Sequence, residues 1–131
     1  MKTVKIKNEH LVPVYIENVT MILERLAKYR SQQASFVYRH PEHRWLLRPP
    51  GYQPSIESRV LEKVLKQLGA LVEVDRSASR KRFIVRVKPI RAALRSRKKL
   101  YRLVHRLLLQ ELEEKTSIIK AHSWKRWLTQ P

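Results

Sequence analysis

The first apolar pattern of the chain has the spacing of a helix. Its members are Ile16, Val19, Ile22, Leu23 and Leu26. Because side chains three and four positions apart share a helical face, this pattern predicts a helix over 14–30, introduced by Pro13. Alternating residues over 3–6 and a beta-prone run over 36–38 predict a short strand on each side of this helix.

The next segment, 41–54, has no clear period. Its apolar residues are Trp45, Leu46 and Leu47. Three residues are too few to separate the two patterns, so 42–48 is compatible with a short helix or with a return strand. Pro49, Pro50, Gly51 and Pro54 follow and predict a tight, irregular connection.

A second amphipathic helix is predicted over 55–68. Its apolar stripe consists of Ile56, Val60, Leu61, Val64, Leu65 and Leu68. Ser55 is a suitable N-cap, and Gly69 suits the left-handed conformation that ends helices. Glu57 lies in the first turn, where the helix dipole favours a carboxylate. The opposite face is expected to be open to solvent or to a ligand, and it carries Glu57, Arg59, Glu62, Lys63, Lys66 and Gln67.

Two beta-branched runs, 71–74 and 82–87, predict a hairpin with a basic tip over 75–81. Side chains alternate between the two faces of a strand, which assigns each residue to a side. Over the core we expect Val72, Val74, Phe83, Val85 and Val87. On the other side we expect Arg82, Arg86 and Lys88.

Leucine spacing after Pro89 predicts one long helix over 90–114 and a shorter one over 116–128. The start of the long helix is basic, with Arg91, Arg95, Arg97, Lys98, Lys99 and Arg102. Cations at a helix start oppose its dipole, so an anionic partner would compensate. The leucine-rich part, 100–112, either packs on its own domain or forms a homodimer that places two reading helices on one duplex.

Composition limits the class of partner. The chain has 131 residues, with 43% apolar and 31% charged, which suits one folded domain with an appended arm. Its 29 Lys and Arg against 11 acids give a net charge of +18, and no acid occurs over 76–110. Such a charge favours polyanions. No apolar run approaches a membrane span or a signal peptide, so we expect an intracellular, cytoplasmic protein that does not bind membranes.

The order of these elements resembles that of the winged helix-turn-helix family. The run 60–71 (VLEKVLKQLGAL), followed by VEV, the tip DRSASRKR and FIVRV, is similar to a recognition helix that leads into a wing. A general likeness to small, Cys-free basic proteins of hyperthermophilic archaea and their viruses accompanies it. The resemblance implies an α+β fold, with a winged-helix-like domain over 1–89 and a long helical extension over 90–131. It implies a sequence-specific or semi-specific double-stranded DNA-binding protein that regulates transcription.

The resemblance also implies which residues contact DNA. On the helix they are Ser55, Ser58, Arg59, Glu62, Lys63 and Lys66, and on the wing Arg76, Arg80, Lys81 and Arg82. The cationic surface would continue onto the long helix through Arg91, Arg95, Lys98 and Lys99. Cations at the tip would neutralise phosphates, whereas base readout would need Arg59, Lys63 or Lys66. Alternatively the helix face is only solvated, and Glu62 pairs with Arg59 and Lys66 at helical spacing.

No group of residues indicates catalysis. Pro41 prevents His40 and His43 from forming a helical metal pair, and the chain has no Cys, no Gly-rich phosphate loop and no clustered carboxylates. We therefore expect a binding protein without catalytic residues, metal or cofactor. Two other classes stay open: an RNA-binding or DNA-packaging nucleoprotein, and a protein-assembly module.

Four aromatic residues are able to stack on unpaired bases. They are Trp45, Tyr52, Trp124 and Trp127. Aromatic residues beside prolines or on amphipathic helices more often belong to a core or an interface, so both uses are considered.

Overall fold

The computed structural model of the chain describes residues 8–38, 41–76 and 81–129, with side chains for all of these except Pro41 and residues 115–129. The strand predicted over 3–6 and the tip residue Arg80 therefore lie outside the described residues.

The described chain forms four α-helices and three β-strands. In chain order they are α1 (Val12–Ala27), β1 (Gln33–Val37), α2 (Pro54–Gln67), β2 (Leu71–Asp75), β3 (Arg82–Arg86), α3 (Val87–Leu94) and α4 (Arg97–Thr129). The α+β class predicted from the sequence is confirmed. The segment 42–48 is neither a regular helix nor a strand, because only a single 3-10 turn forms, at Pro41–His43.

The three strands form one antiparallel sheet in the order β1-β3-β2. β3 is central, and the predicted hairpin joins it to β2, while β1 pairs with its other edge. Phe36 of β1 lies opposite Phe83 of β3, and both rings are buried. Arg82 and Arg86 are exposed, as the alternation predicted. β3 ends at Arg86, so Val87 and Lys88, which were predicted on the strand, lie in the first turn of α3, the first buried and the second exposed.

The prediction for Val72 is wrong. Its side chain is 48% exposed, although the alternation of β2 assigned it to the core. A β-bulge lies between Leu71 and Glu73, so that Leu71 pairs with Val85 and Glu73 pairs with Ile84. One extra residue in a strand reverses the faces of the residues beside it. Leu71 takes the place of Val72 and packs against the core together with Val74, whose prediction is confirmed.

The long helix predicted over 90–114 is two helices. α3 ends at Leu94, where the amides of Arg95 and Ser96 bond back three residues, to Ala92 and Ala93. The carbonyl of Ser96 then accepts from Leu100 and starts α4. α4 in turn runs through the separate helix predicted over 116–128. The break allows α3 to pack on α1 while α4 crosses both α1 and α2.

The apolar side of α4 belongs to the same core as α1, α2 and the sheet. Its buried side chains are Leu100, Val104, Leu107, Leu108 and Leu112, none more than 9% exposed. The core thus spans the predicted boundary between residues 89 and 90. Of the two alternatives for 100–112, packing on its own domain describes Leu100, Leu107, Leu108 and Leu112, whereas Leu103 and Leu109 are only partly buried, and the homodimer stays a prediction.

α2 begins and ends as its end residues dictate. Pro54 occupies the first turn, where its missing N–H leaves no bond unmade, so the helix starts one residue before Ser55, the predicted N-cap. At the other end Gly69 has φ of +68°. The amide of Ala70 bonds to Leu65 O at 2.9 Å and that of Gly69 to Lys66 O at 3.0 Å. Glycine adopts this conformation without strain and closes the helix.

The prediction that Glu57 faces solvent is wrong, because this residue is fully buried. Its carboxylate accepts hydrogen bonds from the hydroxyls of Tyr38 and Tyr52 and from Nδ2 of Asn18 at 2.9 Å. Arg48 Nη2 lies 3.7 Å from Oε1. Charges are rarely buried unless they are paired and hydrogen-bonded, and here both conditions hold. The carboxylate thereby joins α2 to α1, to the residue after β1 and to the connection before α2.

The two tyrosines act as lasting donors to this carboxylate. Burial, with the negative charge of Glu57, raises the pKa of both Tyr38 and Tyr52 well above the ordinary value. Asn18 also closes a pair of bonds with Leu47, accepting from its amide at 3.0 Å and donating to its carbonyl at 2.6 Å. Tyr15 stacks on Tyr52 at 4.1 Å between ring centroids and accepts from the amide of Gln53. These contacts fix the irregular connection in one conformation.

Replacing Glu57 with leucine should destabilise the fold by about 3 kcal/mol or more, because it leaves several buried donors without an acceptor. Glu17→Leu is the matched control, since Glu17 is exposed on α1; it should stay within about 0.5 kcal/mol of the parent. Urea unfolding followed by circular dichroism measures both. Equal effects of the two substitutions would contradict the role given to Glu57.

Candidate nucleic-acid interface

Two of the three cations expected to read bases are bound to α4. Glu111, only 4% exposed, lies between the helices. Lys63 Nζ is 2.7 Å from its Oε2, and Arg59 Nη1 is 3.3 Å from its Oε1. Lys63 Nζ also lies 3.5 Å from Glu114 Oε2. These pairs hold α2 against α4 and occupy cations that were predicted to face DNA.

The charges at this junction stabilise one another. Burial alone would raise the pKa of the Glu111 carboxyl, but its bonds to Lys63 and Arg59 bring it below the ordinary value. The hydrogen bond to Glu111 raises the pKa of Lys63. Glu111 was not among the residues predicted to matter. The available signal was its position in the leucine stripe of α4, four residues after Leu107.

A second carboxylate, Glu62, pairs with cations of α2 and of the β2–β3 hairpin. Lys81 Nζ is 3.5 Å from its Oε1, Lys66 Nζ is 3.7 Å from its Oε2, and Arg76 bonds to the same group. The sequence offered the alternative that Glu62 pairs with both Arg59 and Lys66. This is confirmed for Lys66, whereas Arg59 pairs with Glu111. The predicted wing and helix cations converge on an acid of their own chain.

Lys81 is the least accessible of these cations. Its side chain is 23% exposed, and Nζ lies 5.1 Å from the ring centroid of Phe83. Burial lowers the pKa of Lys81 despite the nearby carboxylate of Glu62. A phosphate group would have to displace both of these contacts to reach it.

The remaining contact residues predicted on α2 and on the β2–β3 hairpin differ in exposure. Ser58 is buried at 6% exposure, so its assignment to an accessible face is wrong. It lies three residues before Leu61 and seven before Leu65, at the edge of the apolar stripe. Ser55 is exposed at the start of α2, and Arg82 is exposed opposite Asp75 in the strand ladder.

The seven Lys and Arg residues over 91–106 fall into two groups, of which the first is structural. Arg91 Nε donates to Ala27 O at 2.8 Å, and its Nη2 donates to Tyr29 O, just beyond the end of α1. Arg97 pairs with Glu24 of α1. A cation at a helix C-terminus is favoured by the helix dipole. The predicted contact residue Arg91 therefore fixes the end of α1.

The second group forms an exposed surface that we call the α3–α4 face. It consists of Arg95, Lys98, Lys99, Arg102 and Arg106. Among the side chains that the structure describes, none forms an ion pair or a hydrogen bond with any of the five. At 100° per residue, the four on α4 lie away from the side that carries Leu100, Val104 and Leu108. Nothing in the described residues covers them.

Tyr101 adds an aromatic ring to this surface and was not predicted. It is 52% exposed and lies 6.4 Å from the ring of His105. Together with Arg97, Lys98 and Arg102 it lines a shallow depression. The signal in the sequence was that Tyr101 lies between Lys98, three residues before it, and Arg102, one residue after it. Cations beside an exposed aromatic ring are suited to phosphates and to bases.

Other classes of site find little support in the described parts of the chain. No three His, Asp or Glu side chains gather there as a metal site requires. Within the same residues, none of the helices combines the length and the apolar character needed to cross a bilayer. No family model, curated protein or solved structure matches the chain. The interface is therefore inferred from geometry and charge.

Replacing Glu111 with glutamine should destabilise the protein by about 1–2 kcal/mol near neutral pH, because two charge-assisted bonds are lost. Because the pKa of Glu111 is lowered in the folded state, its stabilisation is complete above the ordinary value of 4.5 and disappears as the pH falls through the folded value. The difference between the parent and the variant should therefore close in acid.

Thermal unfolding of both proteins across this pH range is the measurement. Glu113→Gln is the matched control, because Glu113 is exposed on the same helix. A stability difference for Glu111→Gln that stays constant down to acidic pH would contradict the ion-pair assignment.

Proposed function

We propose that the protein binds double-stranded nucleic acid, with DNA as its ligand, and that the α3–α4 face is the principal contact. The observation that supports this most strongly is the lack of partners: five exposed cations lie together with no described carboxylate paired to them. By contrast, most of the cations predicted on α2 and beside the hairpin tip are paired with Glu62 or Glu111, although Lys28, Arg86 and Lys88 are also exposed without a carboxylate partner among the described side chains. A cationic surface left unpaired in this way suits the phosphates of a polyanion.

Repulsion within this face supports the same proposal. Lys98 and Arg102 are four residues apart on α4, as are Arg102 and Arg106, and like charges at this spacing destabilise a helix by a few tenths of a kcal/mol per pair, roughly. Lys98 and Lys99 also lie in the first turn, where the helix dipole is positive. Phosphate oxygens would relieve both effects, so binding should be strong at low salt and weak at high salt.

α2 has a secondary part in this proposal. Arg59 and Lys66 remain exposed on it, but Glu62 lies between them and already binds cations of the wing. A phosphate approaching this stripe would meet a carboxylate and would compete with existing ion pairs. We therefore propose binding that depends mainly on the nucleic-acid backbone, with limited base readout by Arg59.

The element order supports duplex DNA as the ligand. Helix, strand, turn, helix and hairpin follow one another in the order on which the winged-helix resemblance rests. The place of the helix before the recognition helix holds only the turn Pro41–His43, which differs from that family. We propose a winged-helix-like DNA binder that docks through a different surface, the α3–α4 face.

Two triple variants with the same change in charge test this assignment. One replaces Lys98, Lys99 and Arg102 with glutamine. The other replaces Arg59, Lys66 and Arg76 with glutamine. These three side chains are also exposed, at 60%, 64% and 61%, but they are ion-paired. For duplex DNA, the first variant should make the slope of log K against log salt less negative by about 2–3, which corresponds to three lost phosphate contacts. The second variant should change this slope by less than half as much.

Fluorescence anisotropy across a salt series measures these slopes, with a structured RNA of equal length as a second ligand. A larger loss in the Arg59, Lys66, Arg76 variant would contradict the proposed surface and restore α2 and the wing as the contact. Tighter binding of the RNA at every salt concentration would contradict DNA as the ligand.

A further inference from the structure

A groove lies on the side of the molecule where α1 ends. Its volume is about 490 Å³, within the range of roughly 300–1,000 Å³ that is usual for small-ligand sites. It is bounded by the last turn of α1, by β1 and by the segment after the turn Pro41–His43. The lining residues used below are Arg25, Lys28, Tyr29, Ser35, His43 and Trp45.

Aromatic rings form one wall of the groove. His43 stacks on Phe36 at 4.4 Å between ring centroids, and Trp45 meets His43 edge to face at 5.7 Å. Tyr29 at the rim is 50% exposed. The backbone of the rim is held in place, because Arg91 donates to the carbonyls of Ala27 and Tyr29. A planar ring entering the groove would therefore find other rings already positioned.

Positive charge lies beside these rings. The guanidinium carbon of Arg25 is 3.7 Å from the ring centroid of Trp45. Lys28 is exposed, and among the described residues no ion pair involves it. Glu42 is the single carboxylate in the lining. Two cations beside several aromatic rings favour a ligand that is both planar and anionic.

The groove is next to the α3–α4 face. Arg91 connects them, since it lies on α3 and bonds to the carbonyl of Tyr29, while Arg97 of α4 pairs with Glu24 of α1. A nucleic-acid strand held along the α3–α4 face would therefore pass close to the groove. This neighbourhood favours a planar anion that is part of the same ligand.

We propose that the groove binds one unpaired nucleotide at the end of a duplex, with its base against Tyr29 and its phosphate near Arg25 and Lys28. The proposal rests on the proposed function, and it adds a preference: duplexes with a single-stranded overhang should bind more tightly than blunt ones. Stacking of one base on aromatic side chains corresponds to an increase of roughly five- to a hundred-fold in affinity.

The test compares a blunt duplex, the same duplex with a short thymidine overhang, and the same overhang made of abasic sites. The thymidine overhang should bind at least about five-fold more tightly than the abasic one, which carries the same phosphates but no base to stack. Equal affinity of these two ligands would overturn the proposal, even if the blunt duplex binds with the expected salt dependence.

Variants at exposed positions locate the effect without disturbing the core. Tyr29→Ala should abolish the preference for the thymidine overhang because stacking is lost, and Ser35→Glu should abolish it because a carboxylate in the groove repels the phosphate of the overhang; both should leave binding of the blunt duplex within about two-fold. Gln33→Glu is the matched control: it introduces the same charge on the same side of β1 but outside the groove, and it should keep the preference. A preference that survives Tyr29→Ala and Ser35→Glu would overturn the site.

Two further ligands complete the test. They distinguish a nucleotide at the end of a strand from a free nucleotide, and they distinguish binding in the groove from the proposed function. Free thymidine monophosphate should compete only weakly, and competition at micromolar concentration would replace the strand by a free nucleotide as the ligand. If no duplex binds at low salt, the proposed function fails. A thymidine oligomer bound through Tyr29 in that case would still support the groove, whereas its failure to bind would overturn both.

Discussion

The buried carboxylate of Glu57 is the interaction on which the arrangement of α1, α2 and the irregular connection depends. It accepts from Tyr38, Tyr52 and Asn18 and has Arg48 beside it, so four parts of the chain meet at one charge. Burying a carboxylate is unfavourable unless all its partners are in place. The segment 44–53 has little regular structure of its own, and these bonds give it a defined path and set where α2 begins.

Once α2 is fixed, the distribution of acids decides which cations are available to a ligand. Glu111 and Glu62 hold five of the cations predicted for DNA contact, Arg59, Lys63, Lys66, Arg76 and Lys81. The absence of acids over 76–110 leaves the α3–α4 face without such partners. Charge alone predicted a polyanionic ligand, and the pairing within the fold moves the proposed contact from α2 and the wing to the start of α4.

Periodicity predicted the elements well because burial of an apolar face selects helices and strands over whole segments. α1, α2 and the hairpin follow from it, and so does the closing role of Gly69. It failed where a few bonds decide, as at the bulge beside Val72 and the break at Ser96. Glu57 was assigned to solvent because it is charged, although it precedes Val60 and Leu61 by three and four residues and so lies in the apolar stripe. The pairing of Arg59 and Lys63 with Glu111 could not be predicted, since Glu111 is distant from them in sequence.

We propose that the α3–α4 face, and not α2 with the β2–β3 hairpin, meets the nucleic-acid backbone. The most direct measurement is a titration of the ¹⁵N-labelled protein with duplex DNA, followed by amide chemical shifts in two-dimensional NMR spectra. If the α3–α4 face is the contact, the largest shift changes should lie over 95–106, with small changes over 55–67 and at 76 and 81–82. Changes concentrated on α2 and the wing, with 95–106 unaffected, would contradict it.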